Sequence, residues 1–259
     1  MSSRSITNEP ERSYVSTGHL PAPDVVQSLV DEAHRRFAAN SDGENSQVYP
    51  ALARVPSKLF GVCVVSTDGH VYGSGDIEHE FSIMSVSKPF LFALVCETLG
   101  PEEARKKLGA NATGLPFNSL AAIENGGGRT NPMVNAGAIA TTSLAPGDTS
   151  DAKWRFIHDG LSRFAGRSLP LNEEVYDSAS KTNFRNRSIA RLLESYDRIY
   201  CDARLATDLY TRQCSLNVSA KDLAVMGATL ADGGVIPITK ERVVDAAVCH
   251  YALAVMVTA

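Results

Sequence analysis

Chelating and redox motifs are missing from this 259-residue chain. Its five cysteines (Cys63, Cys96, Cys201, Cys214, Cys249) are odd in number and none pairs as C-x-x-C. They read as buried, reduced thiols of a cytosolic protein. The six histidines show neither H-x-x-x-H nor H-E-x-x-H spacing, which argues against a zinc site. A basic surface is missing too. A net charge of -4 speaks against nucleic acid or an anionic membrane as the main partner. The longest apolar stretch, near Tyr251 to Ala259, is too short to cross a bilayer. The first 18 residues are polar and lack the apolar core of a signal peptide. Cytoplasmic localisation is therefore expected. Asn111-Ala112-Thr113 and Asn217-Val218-Ser219 match the glycosylation pattern, which a cytosolic protein does not use.

What remains is an ordinary globular composition, 44% hydrophobic and 21% charged. Residues 1–20 read as a mobile tail before one domain spanning 21–259. Apolar positions at helical spacing (Val26, Leu29, Val30, Ala33, Phe37) predict a helix over 23–38. The run from Leu59 to Val65, the Asp68-Gly69 pair and His70 to Gly73 predict a β-hairpin. Its first strand is apolar throughout, so both faces are expected to be covered. The pattern is then helical: Ser85 to Leu99, closed by Gly100-Pro101, a helix from about Met133, and others at 150–165, 172–181, 186–199, 204–213, 219–232 and 240–259. Gly126 to Gly128 lacks the G-K-[ST] ending of a phosphate loop and reads as a turn. Two strands and many helices imply an α+β fold with an unfinished sheet.

Chemistry centres on Ser85-Val86-Ser87-Lys88. A serine hydroxyl needs a base to become a nucleophile, and a lysine serves when burial lowers its pKa. Residues three apart share a helix face, and free N–H groups at a helix start favour a developing oxyanion. The spacing alone does not choose, because Ser150/Lys153 and Ser178/Lys181 repeat it. Ser150 reads as a helix cap and Ser178 lies in a small polar patch. Only Ser85 follows a hairpin and opens an apolar helix.

That order resembles the penicillin-binding protein and β-lactamase superfamily. Longer stretches are similar to the serine-dependent glutaminases: Pro50 to Ala53, Phe81 to Pro89, Asn131-Pro132-Met133-Val134-Asn135-Ala136-Gly137-Ala138-Ile139, Asn183 to Ser188, Asp208-Leu209-Tyr210, and Ala228 to Thr239. The resemblance runs from about Val48 onward. It implies a β-lactamase-like α+β fold and hydrolysis of L-glutamine to glutamate and ammonia. It implies Ser85 as nucleophile, Lys88 as general base, and Ser85, Asn135, Asn186 and Tyr210 as substrate contacts. It implies no cofactor or metal, and a homo-oligomer, dimer or tetramer. Taken without it, Asn135 and Asn186 are ordinary cap residues and Tyr210 a half-buried core tyrosine.

Three departures stand out. Val48 occupies the place of a family tyrosine near the nucleophile, with Tyr49 beside it. Ala179 replaces a glutamate that pairs with the substrate ammonium, leaving Glu174 or Asp177 as substitutes. The family continues past Ala259 with a further tyrosine and a Lys-Ser-Gly strand. A truncated chain is therefore expected to have an exposed apolar strand edge, poor solubility and little activity. Two other readings stay open: a β-lactamase- or DD-peptidase-like acyl transferase, and a non-catalytic amino-acid-binding or assembly module.

Overall fold

The computed structural model describes residues 21–259; the expected tail, 1–20, lies outside them. The first helix, α1, spans Pro23–Phe37, as the spacing predicts. Strands β1 (Gly61–Val65) and β2 (Val71–Gly75) form the antiparallel hairpin, with Gly61 opposite Gly75 and Val65 opposite Val71. Asp68 organises the loop between them by accepting from Ser66 Oγ and from the His70 amide. Gly69 sits at φ 99°, where a side chain is disfavoured.

Helix α1 lies on this hairpin, and together they close a small separate core of Val26, Val30 and Tyr72 with Val62 against it. Gln27 Nε2 adds a bond to the Gly73 carbonyl at 3.2 Å. The expectation that both faces of β1 are covered is only partly met. No residue of β1 is fully buried, and Val64 stays exposed, because among the described residues the sheet has two strands. A second pair escapes sequence reading: β3 (Phe81–Ser82) with β4 (Asn217–Val218).

Eleven α-helices occur among the described residues. A 3-10 turn, Met84–Ser87, leads into α2 (Lys88–Leu99). The predicted helix over 85–99 is thus a tight turn followed by an α-helix. Gly100-Pro101 does not simply stop the chain; Pro101 opens α3 (Pro101–Lys107). Next come α4 (Ala121–Asn125), α5 (Asn135–Ser143), α6 (Ser150–Ala165), α7 (Glu173–Thr182), α8 (Phe184–Ser195), α9 (Ala203–Cys214), α10 (Ala220–Ala231) and α11 (Ala246–Val257). The predicted helix over 240–259 begins late, because Val235 bridges Arg242 and Lys240 takes φ 61°. The cap of α6 is Thr149, which accepts from Ala152, rather than Ser150.

Helices α2 and α5 are the axis of the main core. Every residue of α2 from Lys88 to Cys96, and every residue of α5, is buried. The apolar run of α2 belongs in an interior, and in α5 the Thr141, Thr142 and Ser143 hydroxyls bond carbonyls one turn back. Phe92, Leu91, Ile139, Phe164, Leu161 and Leu209 fill the space around them. Both helices start at one place, which puts Lys88 and Asn135 side by side.

Candidate active site

The Asn131–Ile139 segment is built to bring Asn135 to Lys88. Asn131 Oδ1 accepts from the Met133 amide at 2.9 Å, which turns the chain before α5. A Cβ on Gly137 would sit 2.0 Å from the Asn131 carbonyl, so this close return admits only glycine. The Met133 carbonyl is left facing Lys88.

Lys88 is 5% exposed. Its Nζ donates to Asn135 Oδ1 at 2.8 Å and to the Met133 carbonyl at 3.1 Å. The Phe117 ring lies 5.6 Å from Nζ. Burial lowers the ammonium to about 8, with Cys214 acting in the opposite sense. Its place in the first turn of α2 disfavours a cation as well. Asn135 Nδ2 donates in turn to Asn186 Oδ1 at 3.0 Å. Asn186 is the third residue of α8 and buried, not that helix's cap. Tyr210, on α9, is fully enclosed; its hydroxyl lies 3.5 Å from Asn135 Oδ1 and against the Ser85 side chain. Burial holds its phenol well above 10, with Cys214 adding to the effect and Ser85 opposing it.

The five residues singled out by sequence thus gather at one point. Ser85 is the exposed member. Ser85 lies in the 3-10 turn and Lys88, three positions on, opens α2. Among the described residues, however, Lys88 hydrogen-bonds Asn135 and Met133 and not Ser85. Tyr210 is the group that touches both Ser85 and Asn135.

The other copies of the motif do other work. Lys153 Nζ bonds the Ala145 carbonyl, and Ser178 Oγ accepts from the Ala51 amide at 3.3 Å. Of the departures, Val48 is 67% exposed and takes no part. Tyr49 is half-buried, its phenol raised by burial and by neighbouring Cys214, and it also influences Tyr210. It therefore stands on the site side of this segment. Ala179 is buried on α7. Glu174 is paired with Arg54 and Asp177 is exposed, so neither is shown reaching the site. Four buried neighbours escaped sequence reasoning: Ser87, Thr142, Gln213 and Cys214. Their roles come from contacts across 71 and 126 residues, as in Thr142–Gln213 and Gln213–Ser87, which no short motif signals. Among the described residues no group of three or more His, Cys, Asp or Glu is arranged to hold a metal, and no helix is long and apolar enough to cross a membrane.

Comparison with known proteins gives the family. The family model described as Glutaminase matches residues 43–259. Glutaminase 2 of Yersinia pestis is 67% identical over 247 residues, covering 95% of this chain and 73% of that protein. The glutaminase of Colwellia psychrerythraea is 48% identical over 240 residues, covering 92% and 77%. Among solved structures, the probable glutaminase ybaS superposes with a TM-score of 0.89 at 44% identity, over 92% of this chain and 77% of that one. Mglu in its glutamate form gives 0.83 at 32% identity, over 90% and 54%. The fold is the β-lactamase-like α+β fold of these proteins, and the chain belongs to the glutaminase family.

Proposed function

We propose that this protein hydrolyses L-glutamine to L-glutamate and ammonia, with Ser85 as nucleophile and Lys88 as its base. The observation that carries the reading is a buried amine, lowered to about 8, one 3-10 turn from an exposed serine. At pH 7 about one lysine in ten is then neutral, far more than for a solvated side chain. Neutral Lys88 takes the Ser85 proton as Oγ attacks the side-chain carboxamide. The tetrahedral centre collapses, nitrogen leaves with a proton as ammonia, and a glutamyl ester remains on Ser85. Water then releases glutamate by the same steps in reverse. Tyr210 keeps its proton throughout the working range, so it serves as a donor. Asn135 and Asn186 offer amide groups to the substrate's polar end, in keeping with a relative that has a glutamate form. The cellular setting of this reading is cytoplasmic, and its assembly a homo-oligomer; exposed Phe184 and Phe117 supply apolar surface for contact. The test is incubation with a diazoketone analogue of glutamine followed by peptide mass mapping. One adduct on Ser85 supports the scheme. Binding without an adduct points to the non-catalytic module, and an adduct elsewhere overturns Ser85 as nucleophile.

Ala179 gives a second check. A hydrogen bond from an ammonium to a carboxylate is worth roughly 1.5–3 kcal/mol. Ala179→Glu is therefore expected to bind glutamine at least about tenfold more tightly, read by calorimetry. The buried carboxylate lacks a cation until substrate arrives, so the variant should melt lower alone and recover with glutamine. Equal or weaker binding would rule out this placement.

A further inference from the structure

Behind Ser85 runs a buried hydrogen-bond chain that the reaction scheme does not use. Thr142 Oγ1, on α5, shares its one proton between the Ala138 carbonyl at 2.9 Å and Gln213 Oε1 at 3.1 Å. Gln213 Nε2, on α9, donates to Ser87 Oγ at 2.9 Å. Ser87 Oγ donates to the Met84 carbonyl at 2.8 Å. Thr142, Gln213 and Ser87 are 0%, 1% and 0% exposed, so solvent does not compete for these groups. A serine hydroxyl carries one proton, and because Gln213 donates to its oxygen, that proton is sent to Met84.

Met84 is where the backbone needs holding. Among the described residues it is one of three non-glycine residues at positive φ, with φ 50°, a region that side chains disfavour. Its carbonyl shares a rigid plane with the Ser85 amide. Fixing that oxygen fixes the Ser85 N–H and the direction in which the Ser85 side chain leaves the backbone. The anchors come from α5 and α9, the helices that also carry Asn135 and Tyr210. One rigid frame thus sets the serine and the groups it works with.

The geometry points to Gln213 as a positioning residue for the nucleophile, acting through Ser87 on the Met84–Ser85 peptide. It touches no substrate atom, and the inference rests on the reading that Ser85 is the nucleophile. A misplaced reacting group costs about a hundredfold in rate without loss of binding. Gln213→Met, of similar length and without polar atoms, is expected to slow Ser85 labelling by about 10–100-fold. Glutamate affinity should stay within about threefold of the parent, since binding contacts are untouched. Hydrogen exchange of the Ser85 to Ser87 amides should quicken at least about tenfold, while α6 exchanges as before, as expected of a local opening. A structural role alone is separated by the double variant Ser87→Ala/Gln213→Leu. Removing both partners avoids an orphaned buried group, so the melting temperature recovers while labelling stays slow. Unchanged exchange at 85–87 in Gln213→Met, or parental labelling in the double variant, would overturn the proposal. Failure of the Ser85 reading would look different. The unsubstituted chain would then give no Ser85 adduct, and the exchange comparison would still decide whether Gln213 tethers the turn.

Discussion

Replacing Lys88 by methionine is expected to slow acylation of Ser85 by about 10³–10⁴-fold, the upper range for a general base, without lowering stability at pH 7. The two effects share one cause. The Lys88 ammonium is buried, and burial is why its pKa falls from 10.5 to about 8. Keeping it charged at neutral pH costs the fold roughly 3 kcal/mol. The bonds to Asn135 and the Met133 carbonyl return about 2 kcal/mol. Methionine fills a similar volume and removes both contributions. At pH 7 it should therefore be about 1 kcal/mol more stable than lysine. The pH dependence fixes the sign. Between about 8 and 10.5 the unfolded chain still binds the lysine proton and the folded chain does not, so the parent gains stability as pH rises. The methionine variant gains nothing there and should be about 1.5 kcal/mol less stable than the parent by pH 10. Urea unfolding at both pH values checks this; a difference that does not change with pH would show that Lys88 is not held neutral. In the parent, labelling should rise with pH through about 8 and then level off.

The largest loss of stability is expected at Asp222, where Asp222→Ala should cost about 2–3 kcal/mol, from a charge-assisted bond to a partly exposed arginine and a helix cap lost together. Its carboxylate accepts from Arg167 Nε at 2.9 Å and Nη2 at 2.6 Å, a two-point grip. It also accepts from the Ser219 amide at 2.7 Å, closing the capping box that starts α10. Arg167 reaches on to Glu80 at 2.9 Å, just before β3. One carboxylate thus ties the end of α6, the start of α10 and the strand leading to Ser85. Alanine loses all of this and strips Arg167 of its main partner. Burial pushes the Asp222 carboxyl up, but the bonds from Arg167 and Ser219 outweigh it and hold it below the ordinary value. Its contribution is therefore full above the unfolded carboxylate value and is lost as pH falls through the lower folded one. Asp222→Asn keeps a cap acceptor and should lose less. Calorimetric melting of the three proteins tests the order; equal melting of alanine variant and parent would show the network to be idle.

Local chemistry explains what the sequence made legible. The hairpin was readable because Asp68-Gly69 supplies its turn, and α2 because its apolar run fits only an interior helix. Helix α3 was missed although its signals are present. Pro101 sits at the first turn, Glu102 and Glu103 follow, and Arg105 to Lys107 close it, which suits a helix dipole. Read only as a stop, Gly100-Pro101 hid a start. Residues 240–245 were drawn into α11 because the pairing that prevents helix there, Ile236 with Glu241, is made across a turn and not by periodicity. At the candidate site, Ser85 and Lys88 were picked out of three S-x-x-K pairs by the hairpin before them and the apolar helix after them, and Asn135, Asn186 and Tyr210 by resemblance. Gln213 was invisible because its partner lies 126 residues away and its side chain looks like any other on an amphipathic helix.

The small core beneath α1 gives the molecule two depths of cooperativity. Helix α1 is fastened by Val26, Val30, the stacking of His34 on Phe60 and one amide bond to the hairpin, outside the main core, so it is expected to fray first when the fold is stressed. The serine turn does not depend on it. Ile83 is held to the Leu216 carbonyl at 2.8 Å, and behind it stand α2, α5 and α9 in the main core. Helix α1 can thus open and reclose many times while the turn that carries Ser85 stays seated.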